Sequence, residues 1–398
     1  MTPTPVAQPA PRLVCIDAYR GFVMFLMMAE VLRLGAVAKN FPDSTVWQHL
    51  AWHQSHVEWV GCSLHDLIQP SFSFLVGVAL PFSIASRRAK GQSTLAMTAH
   101  AVWRSVVLVL LGVFLRSVGK PQTYWTFEDT LTQIGLGYWL LFLIGLGPPR
   151  LRWIALGLIL VGYWALFVFF PTAQQAKDVL WQTGRWPDWP CSPGAFAAHW
   201  DKEWNPAAAF DGRFLNWFPR EKLFLANGGG YCTTSFIPTL GTMTLGLIAG
   251  EVLRSPRSVS GKLAWFAVAG LVGLASGYAL GWLGVCPVVK RIWTPSWVLF
   301  SGGWCFLFLA GFYALTDAVG WRRWVFPLVV IGANSIAAYV MDWLFLGFIR
   351  DALKRHLGAD TFRTFGKEYE PLVLGAAVLA VLWLLLYALY RRRIFLRI

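Results

Sequence analysis

The stretch HDLIQPSFSFLVGVALPFSIASRRAK, residues 65–90, decides the fold. It opens on a histidine and an aspartate, runs from 67 to 86 without a charged side chain, and closes on Arg87, Arg88 and Lys90. An apolar run of that length crosses a hydrocarbon core of roughly 30 Å as a helix. Similar runs recur, and spans are expected at 14–36, 66–86, 98–118, 130–147, 152–170, 232–253, 262–283, 295–317, 324–345 and 371–390. A mean hydropathy of +0.52, with 56% hydrophobic and 14% charged residues, excludes a soluble globule. The expected fold is an all-α polytopic membrane protein of about ten transmembrane helices, a single domain over 1–398.

Charge sets the orientation. Arg87, Arg88 and Lys90, then Arg150 and Arg152, Arg254, Arg257 and Lys262, Arg322 and Arg323, and the end RRRIFLRI fall in alternate connections. Short basic connections stay in the cytoplasm, so both termini are expected there, and the net charge of +14 needs no nucleic-acid partner. The other side holds most carboxylates and the segment 171–231, rich in Trp, Pro and Gly, read as an extracytoplasmic cap between the fifth and sixth helices. MTPTPVAQPAPR, residues 1–12, reads as a disordered cytoplasmic tail without a cleavage-site pattern. The six cysteines lack metal-type spacing, and a pair among Cys191, Cys232 and Cys286 is a disulfide candidate if that side is oxidising.

Four of the seven histidines, His49, His53, His56 and His65, crowd beside Glu58 and Asp66 just ahead of the second span. Positions 49, 53 and 56 would share one face of a helix. A general base, an acyl-accepting nucleophile, a metal site and a merely solvated loop all fit that spacing, though no HExxH pattern favours a metal. Asp66, at a span's entrance, needs a partner or water. His56, ten residues earlier across a turn at Gly61, is the better candidate than His65, which on a helix points elsewhere. A carboxylate so placed orients an imidazole and tunes it as a base.

From His56 to Gly77 the sequence HVEWVGCSLHDLIQPSFSFLVG resembles the heparan-α-glucosaminide N-acetyltransferase family of membrane acetyltransferases and its bacterial relatives. His56, Trp59, Gly61, Ser63, Asp66, Leu67, Pro70, Phe72 and Phe74 carry the likeness. It begins with RLVCIDAYRG, through Arg12, Asp17, Arg20 and Gly21. It continues with Gln133, with PVVKRIWTPS from Pro287 to Ser296, with GANSIAAY from Gly332 to Tyr339, and with YRRRIFLRI from Tyr390 to Ile398. The chain departs from the pattern in three places. NGGGYCTTSFIP (227–238) stands where members often have Asp-Pro-Glu-Gly, and Ile134 follows Gln133 in place of an arginine. A first-span asparagine of the lysosomal members has no clean counterpart, with Glu30 one residue away.

The resemblance implies transfer of an acetyl group from cytosolic acetyl-CoA to an amine or hydroxyl of an extracytoplasmic sugar or glycan. It further implies His56 as essential base or nucleophile with Asp66 in the same site, and Asn334 and Ser335 lining the bundle core. Lys290, Gln133 and Trp59 complete the candidates for holding donor and acceptor. The location expected is a bacterial inner membrane, with the bilayer as partner, acetyl-CoA as co-substrate and no metal; a homodimer is allowed by the family and unmarked in the sequence. Covalent acetyl-His56 and direct transfer both stay open. The alternative is a proton-coupled transporter or exporter relaying protons through His56, Asp66 and Asp342. Small polar residues such as Asn334 and Ser335 also serve as interhelical glue, and Asp342 could simply pair with Arg350 or Lys354. Lys290 and Arg291 could be interfacial anchors, and Arg87, Arg88, Lys90, His100 and Arg104 are candidates for the CoA phosphates.

Overall fold

The computed structural model describes residues 13–171 and 196–396, and the regular structure among them is helical. The tail at 1–12, Cys191 and the cap residues 172–195 lie outside the described residues. In chain order the helices are α1 (Val14–Met28), the short α2 (Leu34–Ala38) and α3 (Thr45–His53), α4 (Ile68–Ala89), α5 (Thr94–Ser117), α6 (Thr130–Leu146) and α7 (Pro149–Val168). There follow α8 (Pro206–Phe214), α9 (Phe236–Arg254), α10 (Val259–Trp282), α11 (Pro295–Tyr313), α12 (Phe326–Ala333), α13 (Ser335–Leu357) and α14 (Glu370–Arg391).

Among the described residues seven helices are long and apolar enough to cross a membrane, or eight if the bent pair α12–α13 is one span. Helices α1 and α6, of 15 and 17 residues, stand at two further expected spans but are shorter, so length and hydropathy do not give the full ten. The ninth expected span, 324–345, is not one straight helix. It breaks at Asn334 with a bend of 81°, and its second arm runs on to Leu357.

Helix boundaries follow local chemistry. Ser93, Ser258 and Thr294 side chains accept backbone N–H groups at the starts of α5, α10 and α11, and Asp129 does so for α6. Such caps satisfy donors that a helix start leaves without partners. Helix α9 is the buried spine, packed on α4. Glycines set that approach: a Cβ on Gly246 would lie 1.9 Å from the Phe74 carbonyl oxygen. Close backbone contact through small residues is how helices associate where lipid supplies no hydrophobic drive. Helices α7 and α10 instead expose Leu158, Val161, Val268 and Leu271, as a lipid-facing surface would.

We call the end of the bundle where α4 begins the histidine end, and the end where it finishes on Arg87 and Arg88 the basic end. At the histidine end α3 stops at His53, and His56 lies beyond it. The three-histidine helix face therefore does not form. The rings of His49 and His53 meet at 4.5 Å, while His53 Nδ1 accepts the Leu64 amide and His56 turns toward Asp66.

Candidate active site

Between α3 and α4 the chain closes into a tight loop that Gly61 makes possible, with φ of 122°, where only glycine sits without strain. The Gly61 amide donates to Val288 O at 3.0 Å, and Val60 bridges Val289. These contacts fasten the histidine loop to the segment between α10 and α11, which delivers Lys290. Asp66 sits in the single 3-10 turn His65–Leu67 that opens α4, 1% exposed.

The Asp66 carboxylate is the hub. Its Oδ1 lies 2.8 Å from His56 Nδ1 and 3.2 Å from Lys290 Nζ; its Oδ2 accepts the Val57 and Ser63 amides, each at 3.1 Å. A buried carboxylate with that many donors is an anion, so the hydrogen between Asp66 and His56 belongs to Nδ1. The His56 Nε2 lone pair is then left for chemistry. Lys290 Nζ is also 3.1 Å from His56 Nδ1, and Lys290 is itself buried. Burial pushes the His56 imidazolium below the usual histidine range; the Asp66 contact opposes this and the Lys290 ammonium adds to it. The result is a neutral, oriented imidazole. His65 points away from Asp66, with Nε2 2.9 Å from Glu30 Oε1, yet its ring packs 4.6 Å from the ring of His56.

His56 and Lys290 line a cavity of about 520 Å³ at the histidine end. Its wall includes Glu30, Gln69, Arg116, Glu128, Asp129, Tyr231 and Asp342. A second cavity, of about 480 Å³, runs toward the basic end between α1, α4, α5 and α6. Its wall is mostly apolar, with Arg20 and Arg104 as its cations. Thr130 and Tyr339 line both cavities, so the two are neighbours that share this stretch of wall.

The other expected site residues are distributed differently. Ser335 lines the basic-end cavity. Asn334, at the α12–α13 break, clasps the C-terminal segment: Nδ2 donates to Ile394 O at 2.9 Å, and Oδ1 accepts the Leu396 amide at 3.1 Å. Gln133 Nε2 reaches the Phe127, Cys232 and Thr233 carbonyls, tying α6 to the loop before α9, and Gln133 lines neither cavity. Trp59 is buried under the described part of the cap, its indole donating to Trp200 O at 3.2 Å. Asp342 pairs with neither Arg350 nor Lys354, which engage Asp351 and Glu370; it lines the histidine-end cavity, and its buried Oδ1 has no hydrogen-bond partner among the described residues. Of the basic cluster, Arg104 reaches a cavity, whereas Arg88 and Lys90 are exposed at the end of α4. Cys232 and Cys286 are separate buried thiols.

Sequence reasoning offered Lys290 as a donor- or acceptor-holding group and did not place it on Asp66. The two residues are 224 apart in sequence, and the contacts that join their loops, Gly61–Val288, Val60–Val289 and Arg291–Val57, leave no pattern in the sequence. Arg116, Glu128 and Tyr231 carried no spacing signal; only the count of carboxylates on one side hinted at this wall.

No protein-family model matches the chain. Over 432 residues it is 22% identical to heparan-alpha-glucosaminide N-acetyltransferase of Mus musculus, covering 98% of this chain and 61% of that protein. With the protein of the same name from Homo sapiens it shares 23% over 430 residues, covering 98% and 60%. The chain thus spans about six-tenths of the length of these curated relatives. The alignment runs through nearly the whole helical bundle and the loop that carries His56, and it makes this chain a relative of the heparan-α-glucosaminide N-acetyltransferases.

Proposed function

We propose that the chain is a membrane acetyltransferase that receives acetyl-CoA at the basic end and delivers the acetyl group at the histidine end. The observation that carries this reading is the pair of neighbouring cavities that share Thr130 and Tyr339 as a common wall, with His56 lining the one at the histidine end; the donor's arm passes between them in this reading. CoA is too highly charged to enter hydrocarbon, but its thin arm suits a passage with apolar walls. Arg20 and Arg104 are placed to meet phosphate oxygens, which arginine binds well. The thioester then reaches the histidine-end cavity.

There the acceptor amine or hydroxyl attacks the thioester carbonyl carbon. His56 Nε2 takes its proton, the carbon–sulfur bond breaks, and the CoA thiolate leaves and is reprotonated from His56. Asp66 holds the ring and its tautomer, and Lys290 keeps the ring neutral until the proton arrives. Direct transfer accounts for the site better than an acetyl-imidazole, which the wet cavity would hydrolyse. The acceptor is a sugar or glycan on the histidine side. The basic connections support a cytoplasmic placement of the basic end and of both termini, in a bacterial inner membrane.

The test is acetyl-CoA binding and slow thioester hydrolysis by purified protein in detergent, wild type beside His56→Ala. Binding by both with hydrolysis about 10²–10⁴-fold slower in the variant is expected. Failure of wild type to bind acetyl-CoA or longer acyl-CoAs overturns the reading in favour of proton-coupled transport.

A further inference from the structure

A third cavity, of about 540 Å³, opens beside the histidine-end cavity, and Glu30 lines both. It is a groove between α13 and α14, bounded by the turn that follows α1, and its polarity is graded. Along α13, Leu346, Arg350 and Lys354 line it at four-residue spacing, which covers about 12 Å of helix. Leu374 and Val378 lie correspondingly deep on α14, and Lys367 stands ahead of that helix. One end of the groove is therefore aliphatic and the other cationic.

The charges do not cancel. Arg33, Arg350, Lys354 and Lys367 line the groove against only two carboxylates, Glu30 and Glu370. Glu370 is shared between Lys354 at 2.9 Å and Arg363 at 2.8 Å, Arg350 holds Asp351 at 3.1 Å, and Glu30 already holds His65, which leaves Arg33 and Lys367 as the surplus. Arg33 and Lys367 have no ion-pair partner among the described residues.

Arg33 is also held in a conformation that side chains disfavour, left-handed at φ 49° and ψ 48°. The clamp is Gln54, two residues before His56: its Oε1 accepts the Leu34 amide at 2.6 Å and its Nε2 donates to Ala29 O at 2.7 Å. Backbone strain held in place by its surroundings gathers at ligand clamps. Here Gln54, on the approach to the loop that carries the candidate base, fixes the turn that sets Arg33 on the groove wall.

We propose that this groove binds a lipid with an anionic phosphate head, its tail along Leu346 and Leu374 and its phosphate among Arg33, Arg350, Lys354 and Lys367. The inference deepens the acetyltransfer reading and rests on it: the acceptor is a sugar carried on such a lipid. The sugar enters sideways from the membrane, past Glu30, and presents its amine or hydroxyl to His56. A water-soluble glycan has no use for the aliphatic slot, and a zwitterionic lipid none for the surplus charge.

The test uses native mass spectrometry of the full chain in neutral detergent, titrated with dioleoyl phosphatidic acid, dioleoyl phosphatidylcholine or inorganic phosphate. Saturable binding of one phosphatidic acid is expected, not displaced by inorganic phosphate. The exposed pair Arg33→Gln with Lys367→Gln should weaken it at least about tenfold, the scale of two basic contacts to an anionic lipid. Loss of two exposed arginines at the basic end, Arg150→Gln with Arg257→Gln, should leave it unchanged. Equal binding of phosphatidylcholine, displacement by inorganic phosphate, or an unaffected Arg33/Lys367 variant would overturn the proposal. Wild-type acetyl-CoA hydrolysis is followed in the same preparation. Hydrolysis without lipid binding sinks the groove alone; lipid binding without hydrolysis keeps the groove and sinks the acetyltransfer reading.

Discussion

The two adjoining cavities are of similar size and opposite character. The basic-end cavity is walled by Met24, Phe72, Leu75, Leu80 and Leu108, with charge confined to Asp17, Arg20 and Arg104. The histidine-end cavity gathers His56, His65, Lys290, Arg116 and four carboxylates, Glu30, Glu128, Asp129 and Asp342. The difference separates holding from reacting. A long polar-headed donor needs cations at one place and a narrow apolar passage for its arm. Proton transfer needs titratable groups whose neighbours tune them, and those stand together only beyond Thr130 and Tyr339.

The contrast can be broken at its hub. Asp66→Asn leaves Lys290 buried without its counter-charge, and removing one partner of a buried pair costs about 3–5 kcal/mol. Thermal unfolding in detergent should show this loss, with hydrolysis reduced about 10²–10⁴-fold. The double variant Asp66→Asn/Lys290→Met should regain the stability without regaining the rate. A single variant that melts like wild type would remove Asp66 from the centre of the account.

At the other cavity, Arg104→Gln should raise the dissociation constant for acetyl-CoA about tenfold, the lower end for a charged hydrogen bond. Its hydrolysis rate at saturation should stay that of wild type, as isothermal titration and initial rates together would show. Lost rate without lost affinity would erase the distinction between the cavities.

A finer test is pH. The rate should fall as pH drops through the His56 pKa, because the base must be neutral to accept a proton. That inflection should lie below the ordinary histidine value, since burial lowers it. Lys290→Gln should move it upward, because the ammonium that disfavours the imidazolium is gone. A downward or absent shift in the rate profile would show that Lys290 does not tune His56.

Much of this was legible in the sequence, for reasons that differ by residue. The helices α4, α5, α9, α10, α11 and α14 are visible as long, mostly apolar runs, because lipid demands them. The break at Asn334 was not, since GANS continues an apolar pattern; the C-terminal segment at Ile394 and Leu396 stabilises the bend from 60 residues away. His56 and Asp66 were readable as a pair because only nine residues, with Gly61 among them, separate the two. Lys290 on that pair was not, because long-range contact leaves no periodicity. Gln133 and Trp59 were singled out as polar or aromatic groups near a site, and both turn out to hold loops and the cap.

The most direct test of passage between the adjoining cavities is single-turnover hydrolysis of labelled acetyl-CoA by Thr130→Trp beside wild type. The account predicts that the variant still binds acetyl-CoA, within about threefold, while hydrolysis falls at least about 10²-fold as the thioester is kept from His56. Wild-type hydrolysis by Thr130→Trp would contradict the account, because the donor would then reach His56 by a route other than the passage between Thr130 and Tyr339.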